Sequence, residues 1–303
     1  MTMCRRFPRH GKWRQICVNW WIYALLIPPF ALLAVFTLIP IAQSFVLSFQ
    51  HWTLRSVIWI GLGNYRRLLF EDRVFYIALR NTFVYTATVV PISLLVSLIL
   101  AELIRTLRPS VQTFFKGAYY LPGVVSGVVL VMIWRWIYLP ERTGLLNFLL
   151  SLVGQEPVLW LAYENTALAS VIGMTIAGGN GAAIVMLLAA AGGIPAELYE
   201  SARLDGSNRF SEWWYISLPL LRPSILYLAV MGTIGSFQVF TSTLLLTKGG
   251  PNYGTTTVVL WLWKQGFDYF DFGYASTIAV ALFLVILVFS ALLFRLLASE
   301  VEF

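Results

Sequence analysis

The chain has 303 residues, of which 59% are hydrophobic and 12% are charged, and its formal net charge is +7. A water-soluble domain of this composition would expose more apolar surface than water tolerates, so the sequence predicts an all-α, polytopic membrane protein. The positive charge indicates membrane topology and excludes a nucleic-acid partner, which would require a basic face on a soluble domain.

Six apolar runs are long enough to cross about 30 Å of hydrocarbon as helices. In chain order they cover residues 22–46, 81–104, 117–139, 166–191, 221–246 and 273–297. The shorter uncharged run at 249–263 contains two glycines and a proline, and is interpreted as a loop followed by an interfacial segment. No repeat or linker divides the chain, so we expect a tail at 1–20 and one transmembrane domain at 21–303.

Basic residues predict the orientation of the spans. The N-terminal tail has no acidic residue, and its basic residues are Arg5, Arg6, Arg9, Lys12 and Arg14. Segments rich in Lys and Arg beside the first span usually stay in the cytoplasm. We therefore expect a multi-pass protein of the cell membrane whose two termini, and whose loop at 192–220, face the cytoplasm.

A polar and charged insert, ELYESARLDGSNRFSEWWYISLPLL at residues 197–221, separates the fourth and fifth spans. Asp205 and Gly206 form a turn signal between two short helices, and Ser207 or Asn208 can cap the second one. Two interpretations are open from the residues alone. The insert is either an amphipathic element on the membrane surface or a docking element for another protein.

The spacing within this insert resembles the EAA loop of ABC importer permeases. The residues that match the named positions of that loop are Glu200, Ala202, Asp205, Gly206, Ile216, Leu218 and Pro219. Ser201 and Ser207 stand where alanine is usual, and Trp213 stands where phenylalanine is usual. The resemblance implies a coupling loop that sits in a groove of a separate ATP-hydrolysing subunit.

The sequence contains no ATP-binding or catalytic motif of its own. It has no G-x-x-x-x-G-K-[ST], no H-E-x-x-H and no G-x-S-x-G. We therefore expect a transport subunit without catalytic residues, metal or cofactor, with ATP and Mg bound by a partner ATPase. In the coupling loop, Glu200 and Arg203 are expected to contact that ATPase. Ala202 and Gly206 would allow close approach, and Trp213 would anchor the second helix.

Three further stretches are similar to the carbohydrate-uptake branch of binding-protein-dependent permeases, specifically the maltose-type first permease subunit. They are GLGNY at 61–65, SFQVFTSTLLLTKGGP at 236–251 and FDFGYAST at 270–277. The resemblance implies a type I importer of a sugar that works by alternating access. Its implied partners are a second permease subunit in a heterodimer, two ATP-binding cassette subunits and an external substrate-binding protein.

In relatives of known architecture, the sugar contacts the span that precedes the Gly-Gly-Pro stretch. Here Phe237, Gln238 and Thr241 would share one helical side at i, i+1 and i+4 spacing. An aromatic ring can lie against a pyranose, and amides and hydroxyls can bind sugar hydroxyls. The alternative is contact between helices, which we favour for Phe237 and weigh equally for Gln238. Many relatives have an acidic residue where Thr241 stands.

The stretch AGGNGAA at 177–183 departs from the family, in which this part of the fourth span is usually aromatic. Small residues let helices approach closely, and this is the ordinary explanation. The functional alternative is a roomier cavity or an unwound helix. In that case Asn180 would provide the only amide in the middle of the span.

The spans contain almost no charge. The second, fourth, fifth and sixth spans have no ionisable residue at mid-depth, and Arg135 lies near the outer end of the third. An uncharged pathway favours a neutral sugar, while Arg135 keeps glycerol phosphate or another polyol derivative as an alternative. An ion-coupled secondary transporter or channel is the alternative of a different class, because backbone carbonyls and hydroxyls can build a sodium site.

Overall fold

The computed structural model describes residues 20–53 and 55–297, so most of the predicted tail and residues 298–303 lie outside the described chain. The described chain is mostly helical, as predicted. The helices of its first half are α1 (Trp20–Leu33), α2 (Ile39–Leu47), α3 (Gly63–Phe70), α4 (Arg73–Arg105), α5 (Pro109–Val124), α6 (Gly127–Ile137) and α7 (Leu145–Leu152). Those of the second half are α8 (Glu164–Ala177), α9 (Gly181–Gly192), α10 (Ala196–Leu204), α11 (Arg209–Glu212), α12 (Leu218–Leu220), α13 (Arg222–Phe237), α14 (Thr241–Thr247), α15 (Val258–Trp263) and α16 (Phe272–Leu297).

Short elements of other kinds interrupt the helices. Three wider π-helical turns lie at Ala34–Leu38, Trp213–Ser217 and Lys264–Asp268. The strands β1 (Gln50–Trp52) and β2 (Val57–Trp59) form an antiparallel hairpin between α2 and α3. The first π turn joins α1 to α2 without a bend large enough to break the first span.

Three segments are long and apolar enough to cross a membrane unbroken, namely Ala24–Leu47, Arg73–Arg105 and Phe272–Leu296. They contain most of the predicted first, second and sixth spans. Helix α4 begins earlier than its predicted start at residue 81. Asp72 caps this polar first part, because its carboxylate accepts a hydrogen bond from the Phe75 amide at 2.9 Å. A hydropathy pattern does not register such a cap.

Bent pairs of helices raise the possible spans of the described chain to six. α5 meets α6 at 95°, α8 meets α9 at 42°, and the end of the insert meets α13 at 68°. Pro122 and Gly123 weaken the helix just before the first bend, because proline lacks an amide hydrogen and glycine is a poor helix former. Gly179 sits in the second bend with φ of 81°, which favours glycine.

Helix α4 connects two ends of the molecule. At its start, Asp72 accepts hydrogen bonds from Trp261 Nε1 at 2.8 Å and from the Tyr274 hydroxyl at 2.6 Å. At its other end, the Arg105 guanidinium lies 4.8 Å from the centre of the Tyr199 ring. We name these the hairpin end and the insert end. The 33 residues of α4 separate them by about 50 Å.

Two of the family-like stretches, GLGNY at 61–65 and FDFGYAST at 270–277, meet at the hairpin end. Asn64 Nδ2 donates to the carbonyl oxygens of Ser48 at 3.1 Å and Gln50 at 2.9 Å. Thr277 Oγ1 also donates to the Ser48 carbonyl oxygen, at 3.1 Å. A Cβ on Gly273 would overlap the Gln50 carbonyl oxygen, so only glycine allows α16 to approach β1 this closely. Both motifs therefore build the contact between the hairpin and α16.

Candidate functional site

The insert folds as two short helices around a tight turn. Gly206 has φ of 83°, and the next amide, of Ser207, donates to the Ala202 carbonyl oxygen at 3.0 Å. This bond belongs to the Schellman arrangement that ends helices, and its left-handed residue is usually glycine. Asn208 then caps α11 by accepting a hydrogen bond from the Ser211 amide at 2.8 Å. Of the two predicted caps, Asn208 is the one used.

An ion pair holds the two helices of the insert together. Arg203 Nε lies 2.8 Å from Glu212 Oε1, and its Nη2 lies 3.2 Å from Oε2. Glu212 is only 3% exposed, while the Arg203 side chain remains largely open to solvent. Charge-assisted bidentate bonds of this kind fix orientation as well as distance. Arg203, which we expected to contact an ATPase, thus already binds within the chain.

The insert is also fastened to the transmembrane helices. The Tyr199 hydroxyl lies 2.9 Å from Ser217 Oγ, and its ring lies beneath Arg105. Arg105 is held by Glu102 through two bonds of 3.0 and 2.7 Å. Trp213 packs against an apolar cluster formed by α4 and α9. The insert is therefore joined to the transmembrane helices through several side-chain contacts.

The outer surface of the insert combines apolar and acidic residues. Leu204 is 89% exposed, and Phe210 is exposed beside the same turn. The exposed Glu200 side chain has no salt bridge or hydrogen bond with any described residue. Sequence reasoning missed Leu204 and Phe210, although large apolar side chains beside an Asp-Gly turn were a usable signal. The other predicted positions divide into exposed Ser201 and Asp205, and half-buried Ala202, Ile216, Leu218 and Pro219.

A central cavity of about 270 Å³ lies between α4, the break of α8 and α9, and the end of α13. Its polar lining consists of Tyr85, Ser93, Thr175, Asn180 and Ser236. The remaining lining is aliphatic or glycine, so no described residue around it carries a charge. Arg135 lines a different cavity, of about 340 Å³, together with Tyr138 and Trp160.

The small residues of the fourth span have two distinct roles. A Cβ on Gly181 would overlap the Tyr119 carbonyl oxygen, so close helix approach explains that glycine. Gly179 and Asn180 lie in the break between α8 and α9 and line the central cavity. Both explanations considered for AGGNGAA therefore apply, but to different residues.

The predicted stripe on the fifth span does not form. α13 ends at Phe237, Gln238 lies in a break, and Thr241 begins α14, so these residues share no helical side. Phe237 is 1% exposed and packs against Phe83 and Phe289, with ring centroids 5.3 and 5.6 Å away. Gln238 and Thr241 are exposed and lie outside the lining of the central cavity. The helix ends here because Gly232 and Gly235 lie in its last turns, and glycine is a poor helix former.

Asn180 is the one predicted pathway residue that lines the cavity. Tyr85, Thr175 and Ser236 also line the cavity and were not predicted. The Tyr85 hydroxyl lies 2.9 Å from Thr175 Oγ1, which itself donates to a backbone carbonyl, so tyrosine is the donor. Tyr85 and Ser93 fall on one face of the second span, and polar residues at this spacing in an apolar run were an available signal.

Comparisons with known proteins agree with this architecture. Residues 93–302 match the family described as "Binding-protein-dependent transport system inner membrane component". The chain is 33% identical over 277 residues to the arabinooligosaccharides transport system permease protein AraP of Bacillus subtilis (strain 168), covering 91% of this chain and 88% of that protein. It is 31% identical over 286 residues to the lactose transport system permease protein LacF of Rhizobium radiobacter, covering 93% and 94%.

A solved structure has the same fold. It is the bacterial alginate ABC transporter in complex with an alginate pentasaccharide-bound periplasmic protein, and a chain of it matches with a TM-score of 0.81. The match covers 94% of this chain and 96% of that chain at 23% sequence identity. At this identity the likeness concerns the fold.

Proposed function

This chain belongs to the family of binding-protein-dependent transport system inner membrane components, and we propose that the solute it helps to import is a neutral sugar. The chain is a permease subunit and not an enzyme. The observation that carries the choice of solute is the central cavity, whose lining has hydroxyls and an amide but no charge. Such groups both donate and accept hydrogen bonds, as sugar hydroxyls do. The relatives named for arabinooligosaccharides and lactose support this class.

A phosphorylated polyol fits the central cavity poorly. Phosphate is normally bound by arginine or lysine in such a buried site. Arg135, which kept glycerol phosphate as an alternative, lines another cavity. The volume of about 270 Å³ is near the lower bound of small-molecule sites, about 300 Å³. A mono- or disaccharide is therefore the favoured size, with a second permease subunit completing the enclosure.

The remaining parts of the importer are proposed from the architecture of the family and from the absence of the phosphate-binding motif G-x-x-x-x-G-K-[ST] in this sequence. This chain would pair with a second permease subunit, and two ATP-binding cassette subunits would bind ATP and Mg. An external substrate-binding protein would deliver the sugar at the hairpin end. The basic N-terminal tail supports a cytoplasmic location for both termini and for the insert end.

Alternating access is the proposed mechanism. Closure of the ATPase pair would displace the insert, which the Arg203–Glu212 pair keeps as one unit. The contact between Tyr199 and Arg105 would pass that motion to α4, and the helix α12 leads directly into α13. Both α4 and α13 line the central cavity, so their movement would open it to alternate ends.

Uptake of labelled solutes tests the choice of sugar. Cells with and without this chain would be given arabinotriose, lactose, maltose and glycerol 3-phosphate. We expect loss of uptake for at least one neutral sugar when the chain is absent. Loss restricted to glycerol 3-phosphate, or no change for any compound, would overturn the proposal.

Gly235→Leu is expected to block the central cavity without disturbing the fold. Gly235 lines the cavity, and no atom lies within 4 Å of a Cβ built on it. The leucine side chain would occupy space needed by the sugar, so uptake should fall about tenfold, or ~1.4 kcal/mol. Gly117→Leu is the matched control, because it also points into open space but lies outside this cavity. Equal uptake by the two variants would exclude this cavity as the sugar pathway.

Arg203→Ala is expected to lower uptake severalfold. The substitution leaves the buried Glu212 carboxylate without its partner, and an unpaired buried charge destabilises the surrounding structure. The double variant Arg203→Glu with Glu212→Arg should recover part of the activity, because it restores the pair in reverse. Uptake would be normalised to the amount of protein in the membrane. Full activity of Arg203→Ala would show that the pair has no role in coupling.

A further inference from the structure

A larger cavity lies at the hairpin end of the chain. Its volume is about 590 Å³, and it forms where the hairpin, the start of α4 and the segment between α15 and α16 meet. We name it the outer cavity. The outer cavity lies beside Asp72, at the start of α4. The central cavity lies beside Tyr85, about 20 Å further along the axis of the same helix.

Most charged groups of the outer cavity already have partners in the chain. Arg67 Nη1 lies 2.7 Å from Asp271 Oδ2. Asp72 accepts hydrogen bonds from Trp261 and Tyr274. These contacts tie α3 and α4 to α15 and α16, so the carboxylates alone do not indicate a ligand.

The side chain of Gln265 has no comparable partner among the described residues. It lies in the π-helical turn Lys264–Asp268, is only 4% exposed, and lines the outer cavity. Its side-chain amide makes no hydrogen bond to any residue among 20–53 and 55–297. The amide is not fully enclosed by protein, so it faces the open space of the outer cavity with its donor and acceptor groups unused by the described chain. The geometry therefore points to a polar partner from outside the chain.

We propose that the outer cavity is a saccharide subsite in which Gln265 binds sugar hydroxyls. The proposal rests on the sugar importer proposed above and adds a second place where the chain holds its solute. One amide offers a donor and an acceptor, and a sugar hydroxyl uses both. The outer cavity also falls within the size of small-molecule sites, about 300–1,000 Å³, and a single protein side chain would fill little of it.

The outer cavity is lined by three carboxylates, of Glu71, Asp72 and Asp271, and by the single guanidinium of Arg67. This net negative charge opposes a phosphorylated ligand, and the pairing of Arg67 with Asp271 leaves less charge to attract a cation. Asp72 and Asp271 oppose an anion, yet each carboxylate retains acceptor positions for hydroxyl groups. A sugar released at this end would be held here before it reaches the central cavity.

Sugar binding by the purified importer complex tests the proposal. The complex would be placed in lipid nanodiscs without binding protein, and would carry Gly235→Leu so that the central cavity is closed. Tritiated arabinotriose, lactose and maltose are the probes, and binding is measured by scintillation proximity. We expect Gln265→Met to weaken binding at least about tenfold. Gln155→Met, at an exposed glutamine beyond α7, should leave binding unchanged.

A stability measurement separates ligand binding from a structural role. Methionine matches glutamine in length, and the amide has no partner among the described residues, so Gln265→Met should not lower the melting temperature of the complex. A lowered melting temperature would assign Gln265 to the fold and overturn the proposal. Absence of binding by every probe, or unchanged binding by Gln265→Met, would also overturn it.

Two further results have different meanings. Weaker docking of the binding protein with unchanged sugar binding would assign the outer cavity to a protein contact and reject the subsite. Normal sugar uptake in cells combined with no binding at the outer cavity would reject the subsite and leave the importer function intact. Absence of any sugar uptake by the wild-type chain would instead reject the proposed function.

Discussion

Glu200→Lys is expected to abolish solute uptake while the chain still inserts in the membrane at its normal level. Glu200 is exposed on the insert and has no side-chain partner among the described residues, so its carboxylate is available to a separate subunit. Reversing a charge at such a contact places like charges together, which costs several kcal/mol. Insertion depends on the apolar spans, which this substitution does not change.

Uptake and co-purification together check this result. Glu200→Lys should lose both uptake and the ATPase that accompanies the wild-type chain. Glu156→Lys is the control, because it makes the same change at an exposed glutamate beyond α7, far along the chain from the insert. Normal uptake by Glu200→Lys would contradict the docking role of the insert.

Gly273→Val is expected to prevent accumulation of folded protein. Even the Cβ of alanine at this position would overlap the Gln50 carbonyl oxygen, and valine adds two further methyl groups. Overpacking of this kind costs about 1–3 kcal/mol, and backbone contact leaves little room for relaxation. The hairpin would have to separate from α16, which would also disrupt the hydrogen bond from Thr277 to Ser48.

Thermal unfolding of the purified protein in detergent measures this effect. Gly273→Ala should show a lowered melting temperature, and Gly273→Val should yield little or no folded protein. Gly123→Ala is the matched control, because a Cβ there meets no atom within 4 Å. A wild-type melting temperature for Gly273→Ala would show that the contact between the hairpin and α16 is not tight.

The residues of the insert predicted its local structure well. The turn at Gly206 and the cap at Asn208 arise from backbone preferences of one or two residues, so a single sequence contains the necessary information. The residue that pairs with Arg203 could not be predicted in this way. Glu212 is reached only because the turn folds α11 back against α10, and that geometry cannot be derived from residue types.

Composition and hydropathy established the membrane class, the position of the apolar runs and the polar nature of the insert, because those properties depend on neighbouring residues in the chain. The broken spans and the lining of both cavities depend instead on contacts between distant segments. Tyr85, Thr175 and Ser236 come from three spans and meet only where two helices are interrupted. Gln265 likewise looks ordinary in the sequence, and only the fold places its side chain in the lining of the outer cavity.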